Sequence, residues 1–144
     1  MTKEQKRLRV NGIIVAVTGI LLAAAVLTPI YPLGRLFLTL AHWPFFEAPA
    51  TLDPSGRLML AIGGGLTVGV GAMMWTVGTE VMPVAPAAGR RVVLYFAISW
   101  FVTDSLFSVF AGSPFNAVLN LIFLALMLGS LEFKARDAAA SPAN

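Results

Sequence analysis

No charged side chain occurs between Arg9 and Arg35, or between Arg57 and Glu80. Two further stretches, 92–111 and 115–131, contain a single charge between them, Asp104. A bilayer core of about 30 Å needs roughly 20 consecutive apolar residues in helical conformation. These stretches predict an all-α integral membrane protein, a four-helix bundle with spans at about residues 10–29, 57–79, 92–111 and 115–131. The last is short, and local tilt or thinning takes up the mismatch. The four spans form one transmembrane domain over residues 1–137, and the tail 138–144 reads as disordered.

Composition agrees with this reading. Of 144 residues 58% are hydrophobic and 12% charged, with a mean hydropathy of +0.82, where soluble domains run near 45–50% and about 25%. A water-soluble globule and a disordered chain are excluded. The basic residues sit mostly at the chain ends and in one loop, with no stripe that follows phosphates, so no nucleic-acid partner is expected. With no cysteine there is no disulfide, thiolate metal site or thiol catalysis, and with one histidine, His42, no bis-His haem within one chain. No cofactor and no metal site are expected.

Orientation follows the bases. With the N-terminus inside, the cytoplasmic side holds Lys3, Lys6, Arg7, Arg9, Arg90, Arg91, Lys134 and Arg136, and the outer side Arg35 and Arg57. That asymmetry predicts cytoplasmic N- and C-termini. A competing reading takes the basic start, the first apolar run and Ala23-Ala24-Ala25 as a cleavable signal peptide, which would leave three spans.

The connections differ in kind. Gly112-Ser113-Pro114 predicts a tight hairpin between spans three and four, with Ser113 as N-cap and Pro114 at the first helical position. Residues 79–89, with Pro83 and Pro86, read as a short cytoplasmic loop. The outer segment 28–56 is long and rich in proline and aromatics, and 33–43 fits a short interfacial helix or a partly buried loop cap.

Helices in lipid associate through close packing and polar contacts. Span one sets Gly12, Ala16, Gly19 and Ala23 on one face, and span two sets Ala61, Gly65, Gly69 and Ala72 on another. The two stripes are expected to meet. Gly63-Gly64-Gly65 lacks the lysine of a phosphate loop and lies mid-membrane, which argues against nucleotide binding.

Asp104 is the most informative side chain, because an ionisable group within a span normally faces the bundle interior or a wet cavity. Trp100 and Ser108 share its helical face. Asn116 and Asn120 lie one turn apart on span four, and counting from Gly112 puts Asn120 at the depth of Asp104. Arg57, opening span two, is long enough to extend toward that level. Two readings follow: a structural clamp that fixes helix register, or the polar floor of an outward-facing pocket. His42 beside Trp43 reads as a surface or hydrogen-bonded residue, with ligand or general base as the functional alternative. No Ser-His-Asp set, metal cluster or paired carboxylates in one segment supports a hydrolase or metalloenzyme.

The basic start with its Asn-Gly span, the run Arg57-Leu58-Met59-Leu60-Ala61-Ile62-Gly63-Gly64, and Asp104-Ser105-Leu106 with Gly112-Ser113-Pro114 resemble the DoxX-like group of small four-helix bacterial membrane proteins. The likeness covers most of the chain in layout. That group often has an arginine near the last hairpin, where this chain has Asp104, so no catalytic residue transfers. The resemblance implies a four-helix bundle in the bacterial cytoplasmic (inner) membrane, and links of some members to membrane oxidoreductase systems.

Three function classes follow. The first is an accessory or scaffolding subunit of a larger membrane complex, with a membrane-protein partner or a second copy of itself in the lipid bilayer. The second is a binder or carrier of a lipid- or quinone-like ligand at Asp104 and Asn120. The third is a membrane enzyme using Asp104 as acid or base.

Overall fold

A computed structural model describes residues 1–45, 48 and 50–132. The expected tail 138–144 and the C-terminal limit of the domain at 137 lie outside these residues. The described chain is helical throughout its regular elements, with no strand.

Local sequence explains where each helix begins. Helix α1 (Lys3–Ala24) starts in a capping box: Gln5 N donates to Thr2 Oγ1 at 3.2 Å, and Thr2 N donates to Gln5 Oε1 at 2.7 Å. Helix α2 (Tyr31–His42) has Pro32 in its first turn, where a missing N–H costs nothing. Helix α3 (Pro54–Thr76) opens on Asp53, whose Oδ1 accepts from Gly56 N at 2.7 Å.

The expected loop over 79–89 is largely helical. A π-helical turn, Val77–Val81, and a short α4 (Met82–Val84) prolong α3, and α5 (Pro86–Phe110) begins one residue later. Pro86 falls in the first turn of α5, where a missing N–H costs nothing, and Pro83 follows directly on the π-helical turn. Ala85 alone separates the helices, with a non-helical backbone at φ −143° and ψ 66°.

After α5 the chain turns through Gly112, which has φ +79°, a left-handed conformation that favours glycine. Helix α6 (Pro114–Leu128) follows. Ser113 does not cap it with its side chain as expected; its backbone carbonyl accepts from Asn116 N at 3.1 Å instead.

Three helices are long and apolar enough to cross a membrane: α1, the continuous Pro54–Val84 helix and α5. At 1.5 Å per residue the 15 residues of α6 rise only about 22 Å, less than the roughly 30 Å hydrocarbon core.

The molecule is assembled from two antiparallel pairs, α1 with α3 and α5 with α6, with α2 lying against α6. The described N- and C-terminal ends meet at one end of the bundle. There Glu4 is only 3% exposed, takes two hydrogen bonds from Arg90 (2.7 and 2.8 Å), and accepts from Glu132 N at 3.0 Å. The buried apolar core occupies this same half, with Leu8, Val15, Met74, Val77, Val93 and Met127 in one cluster. Asn11 of α1 adds a crosslink, donating to Leu126 O and Ser130 Oγ of the α6 end, each at 2.9 Å.

The α1–α3 contact corrects the expected stripes. On α1 the residues are Gly12, Ala16, Gly19 and Ala23, as the spacing indicates. A Cβ on Gly19 would sit 2.6 Å from Val68 N and 2.7 Å from Gly64 O, and one on Gly12 2.9 Å from Trp75 N. Across from α1 the contact runs instead along Gly64 and Gly71 of α3 and Gly78 of the π-helical turn. A Cβ on Gly64 or Gly71 would lie 2.7 Å from the Cβ of Ala23 or Ala16 respectively. Gly65 and Gly69 would meet nothing within 4 Å among the described residues, Ala72 is exposed and Ala61 half-buried. One residue is about 100° of helix rotation, and three consecutive glycines leave spacing alone unable to choose among three faces.

Candidate functional site

The α5–α6 hairpin concentrates the polar side chains of the bundle interior. Pairing down from Gly112 places Asn116 opposite Ser108 and Asn120 opposite Asp104 and Ser105. Asn116 Nδ2 donates to Ser108 Oγ at 2.9 Å and to Asp104 Oδ2 at 3.2 Å. Asn120 Nδ2 donates to the same Asp104 Oδ2 and to Ser105 Oγ at 3.1 Å. Each carboxamide has two N–H donors, so both are fully used. Asp104 Oδ2 thus receives two hydrogen bonds, while Oδ1 accepts none among the described residues. Asn120 is 5% exposed and Ser105 9%; Asp104, Ser108 and Asn116 are half-buried.

The half-buried side of this cluster faces a cavity of about 940 Å³. Helices α3 and α5 scarcely touch, and the cavity fills the gap between the two helix pairs. Its walls are mainly apolar, including Leu60 and Met73 of α3, Phe123 and Met127 of α6, and Trp100 of α5. Trp100 stands edge-on to Phe123, ring centroids 6.2 Å apart. Gly63, Gly65 and Gly69 line the α3 wall. None of the three would bring a Cβ within 4 Å of another described residue, so Gly65 and Gly69, expected in the packing stripe, leave room in the cavity instead, as Gly63 does.

His42 is also in the cavity wall, with Nδ1 2.8 Å from Leu38 O. Trp43 beside it packs edge-on against Phe115, at 5.4 Å between centroids. Arg57 does not reach the cluster. Its Nη2 donates to Val26 O at 3.1 Å from an exposed position, because the carbonyls just beyond α1 lack helical partners and lie nearer than Asp104.

The Glu4 cluster is a second polar centre, outside the apolar segments. The Arg90 hydrogen bonds hold the Glu4 carboxyl below its usual range, and the Glu132 N–H adds to this, while burial opposes it. Pairing with Glu4 raises Arg90 in turn. This centre and the Asn11–Ser130 crosslink escape a reading of the sequence. The one local signal is a polar Asn11 at the edge of an apolar run.

Asp104, Asn116 and Asn120 line a mainly apolar space whose volume lies at the upper end of the 300–1,000 Å³ typical of small-molecule sites. No family model, curated protein or solved structure matches this chain.

Proposed function

We propose that this chain is a four-span protein of the bacterial cytoplasmic membrane, with both termini inside, that binds one amphipathic lipid- or quinone-like ligand in the cavity between its helix pairs. The carrying observation is the coincidence of a 940 Å³ apolar space with one confined polar cluster, Asp104, Asn116 and Asn120. An apolar chain gains from burial along the α3 and α6 walls, and a polar head finds a cluster of partners on α5 and α6. The short α6 spans by tilt or local thinning, and the common end of the chain termini agrees with the Lys/Arg asymmetry. The DoxX-like layout contributes the membrane and the helix number to this reading, and no residue role.

This reading takes precedence over the accessory-subunit one because a scaffold has no need of an interior cavity. Native mass spectrometry of the protein released from mild detergent tests it. The expected result is a retained ligand of lipid or quinone mass that is lost in Gly65→Leu and Gly69→Leu, which fill the cavity wall. A protein that carries no ligand but a stoichiometric partner chain would return the accessory-subunit reading.

A further inference from the structure

The proposed cavity has a polarity of its own, seen by following each hydrogen atom on its polar lining. The Thr18 hydroxyl donates to Ile14 O at 2.9 Å, and the Thr67 hydroxyl to Gly63 O at 2.8 Å. The amide hydrogens of Asn116 and Asn120 are spent on Asp104 and the two serines. What these four residues turn to a ligand is oxygen lone pairs. Asp104 Oδ1 adds a carboxyl acceptor, and no Lys or Arg is among the described residues of the wall. The remaining polar groups of the wall are the Ser108 and Ser113 hydroxyls, the Trp100 indole N–H and the His42 imidazole, whose Nδ1 is engaged with Leu38 O at 2.8 Å. A carboxyl group in a mainly apolar cavity whose described wall holds no Lys or Arg is matched by a cation on the ligand.

We infer that the cavity selects a single-chain amphiphile with a primary ammonium head, three N–H donors set against Asp104 Oδ1 and the carboxamide oxygens. The inference rests on the binding reading above and narrows it. A quinone offers only carbonyl acceptors to this wall, and a fatty acid offers a second negative charge.

The test uses the full chain in phosphatidylcholine nanodiscs and three probes of equal chain length: dodecylamine, dodecanol and dodecanoic acid. Occupancy is read by native mass spectrometry. Dodecylamine should bind more tightly than dodecanoate by about tenfold or more, since opposite charges about 4 Å apart at an effective permittivity near 20 attract by more than that ratio requires. Asp104→Asn should abolish the preference for the amine over dodecanoate. Equal binding of amine and dodecanoate, or a preference that survives Asp104→Asn, overturns the ammonium selectivity and leaves the binding reading in place. Binding of none of the three overturns both. If Asp104→Asn fails to fold, the wild-type ranking decides alone.

Discussion

Asn120 of α6 donates from one nitrogen to Asp104 Oδ2 and to Ser105 Oγ, so a single carboxamide holds two consecutive residues of α5. Asn116 repeats the arrangement one turn away, with Asp104 and Ser108. The carboxyl oxygen shared by the two carboxamides ties the hairpin together at mid-helix.

Replacing that oxygen separates fold from binding. Asp104→Asn keeps an acceptor at the shared position, and its thermal unfolding in detergent should stay close to wild type. Asp104→Leu strips a partner from both carboxamides and should cost about 1–3 kcal/mol. Unfolding midpoints of the two variants that coincide would show that the hairpin does not depend on this oxygen.

The glycines of α3 should divide into two classes. Gly64→Leu and Gly71→Leu push side chains into the backbone of α1 and should destabilise by about 1–3 kcal/mol or more. Gly65→Leu and Gly69→Leu enter open space and should unfold within about 0.5 kcal/mol of wild type, as substitutions away from packed contacts do. Equal destabilisation in all four variants would contradict the contact face.

Stability should fall on acidification through the Glu4 cluster. The folded-state pKa of Glu4 lies below the ordinary 4.5. Its contribution is therefore complete above the unfolded value and is lost as pH falls through the folded one. Glu4→Gln should remove that part of the acid dependence and cost about 1–3 kcal/mol at neutral pH, as expected when a buried partner of a charged group is lost. Thermal unfolding of the wild type and variant from pH 7 to 3 checks the sign; parallel curves would assign the acid sensitivity elsewhere.

Topology is checked by reporter fusions. Fusions after Pro86 and Asn144 should report as cytoplasmic and one after Pro49 as exported. An exported signal from the Pro86 fusion would reverse the proposed orientation.

What the sequence makes legible depends on how local the signal is. The relative depth of Asp104 and Asn120 can be read because a turn at Gly112 lets both be counted from one point. The α1 face can be read because Gly12, Ala16, Gly19 and Ala23 form one small-residue stripe with no rival beside it. The α3 face cannot, since Gly63, Gly64 and Gly65 start three stripes and the partner helix decides between them. The extension of α3 to Val84 is hidden because proline reads as a breaker, yet Pro83 lands in the first turn of α4, where it is tolerated. The pairing of Glu4 with Arg90 joins residues 86 positions apart, and the cavity is a gap between helix pairs. Neither leaves a periodic trace in the chain.

The spacing of Gly64 and Gly71 has a mechanical corollary. Seven residues in two turns is the repeat that winds two helices into a left-handed supercoil. With backbone lying against backbone, α1 has no small sliding step along α3: a shift of one residue would drive a Cβ into a carbonyl, and the next comfortable register is two full turns away. The pair is therefore a stiff mast.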